Sequence, residues 1–459
     1  MLSLRESFRS ILTAYSNWKG SSINRRILGA TVIVAVFTAI AKIVFFAKEL
    51  VIAWQFGTLD LLDAFLIAYS VPSFVVNLVA GSLNSAFIPV YIAAREQDGN
   101  SSASALYTSA MTLSILLLAA CTGLIILAAP FYLRVLASGF DEDKLHLTLN
   151  LLYVVSPVIL LSGITTIRGA VMNASEKFAL PALIPVITPA LTIFLILLGG
   201  HILSIYALAL GLVMGQLVEA FLLGSALKRR GMKYSFGWNG MDANLRQTIL
   251  QFLPMLAGSF LMGSTQLVDQ AFAASLLAGS VSALSYGNKV ISFPLQIAAT
   301  AIGTSVLPYF SSMLIRQDWS IARRTLNRYL KLIFMFTVPI TLLLVFFSEP
   351  LVRLLLQRGA FTGTDTKIVA DVQALGALQI PFYLAGILVV RMISAMKANH
   401  ILMWGAVLNV IVNFTADYWL MKMFGVVGIS LSTSIVYFVS FTYLLLMLLH
   451  QQSRIYAER

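Results

Sequence analysis

IAKIVFFAKELVIAWQFGTLDLLDAFLIAYSVPSFVVNLVAGSLNSAFIPVY, residues 40–91, decides how this chain must fold. Its first part lies in an apolar run from Ile27 to Trp54, long enough to cross a bilayer, yet Lys42, Lys48 and Glu49 stand inside it. A charge at membrane depth costs about 2.5 to 3.5 kcal/mol on insertion scales, and more against lipid, so the run is tolerable only beside a polar interior. The stretch therefore predicts a hydrated, cationic cavity inside a bundle of membrane helices.

Reach separates the two lysines. At about 1.5 Å per residue, Lys48 lies roughly 9 Å from Trp54 and can instead snorkel to the headgroups, whereas Lys42 lies roughly 18 Å from one end and 22 Å from the other. A Lys42 that is neutralised or paired within the bundle, with no substrate role, is the alternative reading.

The whole composition agrees with a membrane chain: 59% of residues are hydrophobic and 11% charged, with a mean hydropathy of +0.88. An ordinary soluble domain carries about twice that charged fraction. The net charge of +12 does not point to nucleic acid, because the basic residues fall in short loops between apolar spans, where they set topology. Cys121 is the only cysteine, and the four histidines (His146, His201, His400 and His450) show no ligand spacing, so neither a disulfide framework nor a thiolate metal site is expected. The chain contains no GxxxxGK[ST] or GxGxxG loop, and no loop is long enough to be a soluble catalytic domain. A transporter driven by a gradient, rather than an enzyme, is the expectation.

Residues 1–26 carry Arg5, Arg9, Lys19, Arg25 and Arg26, with Phe8, Ile11, Leu12 and Tyr15 at helical spacing. They predict a short basic helix on the membrane surface rather than a cleavable signal. Twelve apolar spans follow, at 27–54, 61–91, 104–136, 146–172, 179–200, 202–227, 247–277, 281–312, 329–348, 368–396, 401–421 and 426–449. With the N-terminus inside, and Arg134 and Lys331 at span ends counted with their adjoining loops, twenty Lys and Arg residues fall in cytoplasmic segments, six outside and five within spans, so both termini are expected in the cytoplasm. The basic loops 228–246 and 313–328 read as anchors on the anionic leaflet.

A repeat at a shift of about 220 residues divides the chain. SAFIPVY recurs as SVLPYF, APFYLRVLASGF as EPLVRLLLQRGAF, and SPVILLSGITTIRGA as IPFYLAGILVVRMIS, matching Gly163 with Gly386 and Arg168 with Arg391. Spans 27–227 and 247–449 thus form two lobes of six helices, joined by 228–246 and followed by a cytoplasmic tail at 450–459. Because six is even, the lobes are parallel, an all-α architecture of about twelve membrane helices around a central cavity. Pro72, Gly81 and Pro89 in span 2, with Pro294, Gly303 and Pro308 in span 8, predict interrupted helices in matching places. Lys289 in span 8 joins Lys42 and Lys48, putting positive charge on both lobes to hold an anion.

A second polar group is expected in the outer third of the membrane: Asp269 in span 7, Asn413 and Asp417 on one face of span 11, and Thr433 in span 12. Two carboxylates, an amide and a hydroxyl suit a small hard cation, or else hydrogen-bond neighbouring helices and no more.

LDAFLIAYSVPSF with NSAFIPVY, and LLAGSVSALSYGNKVISFP with IGTSVLPYFS, resemble the MviN/MurJ family of lipid II flippases, within the multidrug/oligosaccharidyl-lipid/polysaccharide flippase superfamily. The resemblance spans nearly the whole chain. It implies a bacterial inner-membrane protein that moves an undecaprenyl-diphosphate-linked glycan from the inner to the outer leaflet, among membrane lipids and alongside envelope-synthesis proteins. It also implies that Lys42, Lys48 and Lys289 meet the diphosphate, that Asp63 joins this substrate set, and that Asp269, Asn413, Asp417, Thr433 and the backbone of Ile429 hold a sodium ion as coupling ion. The chain departs from the family pattern where Val76 and Asn77 replace an arginine pair, where Ser292 replaces an acidic residue, and where lysines stand for three arginines. A multidrug antiporter of the same superfamily, or a non-transporting scaffold for envelope-polysaccharide synthesis, is the rival expectation.

Overall fold

The structure is a computed structural model that describes residues 23–232, 236–237, 240–315, 318–396 and 398–457. The surface helix expected around Phe8 to Tyr15 lies outside the described residues, as do positions 233–235 and 238–239 of the basic linker.

The fold is all-helical across these residues. In chain order the helices are α1 (Ile23–Phe56), α2 (Asp60–Gln97), α3 (Gly99–Leu136), α4 (Glu142–Val155), α5 (Pro157–Ala174), α6 (Ala179–Leu183), a 3₁₀ turn (Ile184–Val186), α7 (Ile187–Leu203), α8 (Tyr206–Lys228), α9 (Ala243–Ala274), α10 (Ser280–Ile315), α11 (Trp319–Phe346), α12 (Ser348–Leu356), α13 (Gly363–Ala377), α14 (Ile380–Ala395), α15 (Asn399–Phe424) and α16 (Val426–Ala457). Among the described residues, nine stretches are long and apolar enough to cross a membrane. The other three expected spans coincide with α1, α9 and α10, of 34, 32 and 36 residues. Helix is the only economical answer for such runs, since every backbone group must find its partner within the segment.

The expected interruptions in spans 2 and 8 are not there. Helix α2 runs unbroken past Pro72, Gly81 and Pro89, and α10 past Pro294, Gly303 and Pro308. Breaks fall elsewhere: between α4 and α5 at Ser156, within span 5 at the 3₁₀ turn around Pro185, and between α13 and α14 ahead of Pro381. Pro157 and Pro381 lie within one residue of the same place in the internal repeat, so the two halves are interrupted at corresponding points after all, in spans 4 and 10. A proline at the first or second position of a new helix costs nothing, because the amide it lacks would be unpaired there anyway. Inside a membrane helix a lost bond is tolerable where neighbouring groups can take over, so a proline need not end a helix such as α2 or α10.

Packing gathers the described residues into two compact units, one built from the segment ending at Val51 with Ala80–Thr122 and Pro157–Phe252, the other from Ile52–Val79, Gly123–Ser156 and the chain from Leu253 onward. This division by packing differs from the division by repeat: Ile52–Val79 and Gly123–Ser156 pack with the later residues. The first unit is centred on Phe87, Tyr107, Met111, Ile167 and Val171, and the second includes a core of Phe310, Leu326, Leu388, Met392 and Leu448. In the first unit α7 and α8 touch almost backbone to backbone: a Cβ on Gly215 would lie 2.5 Å from the Thr188 α-carbon, and one on Gly211 2.6 Å from that of Thr192. Small residues four apart are the usual means of close helix approach in lipid. Glu219, buried on α8, accepts there from the Thr188 amide at 3.0 Å and its hydroxyl at 2.6 Å.

Candidate functional site

Three groups of functional side chains can be built up from the helices that carry them. The first is on α1, in the first unit. Lys48 Nζ lies 2.8 Å from Glu49 Oε1 and 4.3 Å from the centre of the Phe45 ring, with Lys48 13% and Glu49 5% exposed at the side chain. A charge that would otherwise be costly at this depth is therefore offset by its chain neighbour, which explains how α1 tolerates it. Lys42, six residues earlier, is exposed at the surface of the unit.

Lys289 stands in the second unit, half-buried on α10, its Nζ 5.7 Å from the centre of the Tyr286 ring. Tyr286 is itself buried against Phe361, the ring centres 5.6 Å apart, so the side of the helix below the ammonium is fixed.

Asp63 has different company from that expected. It is 1% exposed and caps the start of α10: Oδ2 accepts from the Gly279 amide at 2.7 Å, and Oδ1 from the Ser282 amide at 2.8 Å and the Ser282 hydroxyl at 2.6 Å. Lys144 Nζ adds a contact at 3.3 Å and bridges to Asp60 at 2.5 Å. The unpaired amides and positive end of the α10 dipole are an anion site, and Asp63 fills it. Around it, the Ala360 amide donates to the Trp54 carbonyl at 2.8 Å and Thr58 donates to Asp365 at 2.5 Å, while Asp365 also forms a capping box with Thr362 at the start of α13. Gly57, at φ +52, and Gly359, at φ +60, permit this approach, since a Cβ on either would strike the other segment's backbone at 2.4 or 2.3 Å. Lys144, Asp60, Thr58 and Asp365 were not picked out from sequence. The Asp60/Asp63 spacing on the first turn of a helix is the one local signal that two acidic groups face the same way.

The third group joins α9, α15 and α16 in the second unit. Asn413 Nδ2 donates to Asp269 Oδ1 at 2.8 Å, so the structure brings together two residues that are 144 apart in sequence. Asp417 is completely buried, its carboxyl group against that of Asp269 and the Ser432 hydroxyl, and Asn413 Oδ1 has no hydrogen-bond partner. Ile429 is buried on the first turn of α16, its carbonyl accepting from Thr433 Oγ1 at 3.3 Å. Ser432, which sequence reading passed over, is fully buried and donates to the Asn413 carbonyl at 3.5 Å. Buried oxygens without donors are costly, and a cation is the partner that their chemistry fits. Among the described residues no three His, Cys, Asp or Glu side chains gather, so the donor set is mixed neutral and anionic oxygen, suited to a small hard ion rather than a transition metal.

A family model described as "Lipid II flippase MurJ" matches residues 52–459. A protein named probable lipid II flippase MurJ from Rickettsia prowazekii is 24% identical over 412 residues, covering 88% of this chain and 80% of its own length. The lipid II flippase MurJ of Burkholderia cenocepacia is 27% identical over 374 residues, covering 80% of this chain and 72% of its own. Among solved structures, a lipid II flippase MurJ in an inward closed conformation superposes with a TM-score of 0.79 at 25% identity, covering 91% of this chain and 87% of that one. An inward-facing multidrug transporter of the MATE family reaches 0.76 at 13% identity over 90% of this chain and 95% of its own, a likeness of fold alone.

Proposed function

The chain belongs to the lipid II flippase MurJ family, and from that membership we propose that it carries lipid II, an undecaprenyl-diphosphate-linked glycan, across the inner membrane by alternating access. It is a multi-pass membrane transporter, not an enzyme, and its partners are that lipid-linked glycan and membrane lipids. The family match across residues 52–459 is the observation that carries the reading.

In this proposal Lys42 and Lys289 supply the ammonium charges that attract the diphosphate, while Lys48 contributes less because Glu49 offsets it. Lysine lacks the bidentate fork of arginine but keeps a full charge, enough to draw a diphosphate out of the headgroup layer. The polyprenyl tail stays in lipid throughout. Asp269, Asn413, Asp417, Thr433 and the Ile429 carbonyl would hold sodium, and two adjacent buried carboxyl groups with an unpartnered Asn413 Oδ1 support that assignment. A bound ion would add charge neutralisation, and its bias on the cycle is limited by its differential affinity for the two states. Both termini lie in the cytoplasm in this reading, by the distribution of Lys and Arg. That puts the Asp63 cap on the outer side of the membrane.

The test is transfer of fluorescent lipid II in proteoliposomes. Lys42→Ala combined with Lys289→Ala is expected to cut the rate by about tenfold or more, at the scale of one or two lost charge-assisted contacts. Undiminished transfer by a folded double variant would remove the lysines' role. Transfer of a different polyprenyl-diphosphate glycan in place of lipid II would reassign the cargo.

A further inference from the structure

Helix α11 carries a feature that the transport reading does not use. Arg324, Arg328, Lys331, Met335 and Val338 are all exposed and recur at spacings of four, three, four and three, so they share one face of the helix within an arc of about 80°. Its opposite side, with Ala322, Leu326, Leu330, Thr337 and Thr341, is buried. Along the exposed face the character changes once, from three cations to a shallow, open apolar groove lined by Leu330, Lys331, Phe334, Met335, Val338 and Pro339, all on this helix. Phe334 is anchored by edge-on contacts to Phe382 and Phe441, with ring centres 5.9 and 5.7 Å away, so the groove is backed by fixed rings. None of the three cations is ion-paired with an acidic residue among the described residues.

We propose that this face is a binding site for one anionic diacyl phospholipid of the cytoplasmic leaflet, its phosphate at Arg324, Arg328 and Lys331 and an acyl chain in the groove beyond. Dimensions agree: Lys331 to Val338 spans about 10 Å along the helix, within the roughly 15 Å of hydrocarbon in one leaflet. Charge complementarity selects an anionic headgroup, and continuity of the cations with an apolar groove at membrane depth selects a lipid over a free anion or a soluble protein. Zwitterionic lipid carries the same phosphate with a cationic group beside it, so it would engage the three cations more weakly.

The test uses the full chain in detergent, exchanged with phosphatidylglycerol or phosphatidylcholine and assayed by native mass spectrometry; transport is not measured, so the flippase assignment stands or falls separately. Wild type should retain phosphatidylglycerol in preference to phosphatidylcholine. The combined change Arg324→Gln, Arg328→Gln and Lys331→Gln should weaken phosphatidylglycerol retention by about tenfold or more, and phosphatidylcholine retention little. Val338→Trp, which fills the groove and leaves every charge in place, should weaken retention of phosphatidylglycerol too, and covers the case in which the triple variant does not fold. Equal retention of both lipids by wild type, or phosphatidylglycerol retention unchanged in folded variants, overturns the proposal. Loss in the charge variant with none in Val338→Trp overturns the seated lipid and leaves a diffuse surface attraction.

Discussion

Asp63 is where one side chain holds most. Two amides, a hydroxyl and an ammonium converge on a carboxylate that is 1% exposed. Asp63→Ala strands the Gly279 and Ser282 amides and leaves Lys144 with Asp60 alone, so a loss of about 3 kcal/mol or more in thermal or denaturant unfolding is expected. Asp63→Asn keeps one acceptor oxygen for the amides and should lose less; equal losses in the two variants would mean that charge, not acceptor geometry, is what matters there. At Lys48 the pairing with Glu49 predicts coupling: the double change Lys48→Ala, Glu49→Gln should cost at least about 1 kcal/mol less than the two single changes added together. Strict additivity would deny the ion pair any energetic standing.

At the scale of the helix, close contact is the controlling variable. Gly215→Val would drive a side chain into the Thr188 backbone on α7 and disturb the bonds of Thr188 to Glu219, so about 2 to 3 kcal/mol of stability should go, read as a lower unfolding temperature with intact helicity. How legible such features are depends on their range. The spans could be read directly, because apolar runs of this length leave the backbone few choices, and the meeting of Asp269 with Asn413 followed from placing each on its helix by depth. The interruptions were misread: proline content pointed to spans 2 and 8, but a proline interrupts a helix only where the chain gains by starting a new one, as at Pro157 and Pro381. Nothing near Asp63 in sequence names the Gly279 and Ser282 amides it caps, which lie more than two hundred residues away at a helix start that is defined only once the chain has folded. Ser432 was missed because a serine on an apolar helix resembles a hydroxyl bonded to its own backbone until α15 is packed against it.

For the molecule as a whole, the junction of α9, α15 and α16 offers a prediction whose sign separates a cation site from ordinary helix packing. Asp417 is completely buried beside the Asp269 carboxyl group, so in the absence of a bound cation a charge on it opposes folding. Asp417→Asn removes that charge, and without sodium the variant should unfold at the same temperature as wild type or higher. Adding sodium should reverse the order, because an ion that binds only the folded state stabilises it by mass action, about 2.7 kcal/mol at a hundredfold excess over its dissociation constant. Wild type should then gain in unfolding temperature with sodium more than with equal potassium, and Asp417→Asn should gain from neither. Ser432→Ala, which leaves the carboxylates untouched, should keep most of the sodium response. If Asp417 serves only to hold helices together, the opposite pattern follows: the Asn variant is weaker at every salt composition, and sodium and potassium act alike on both proteins.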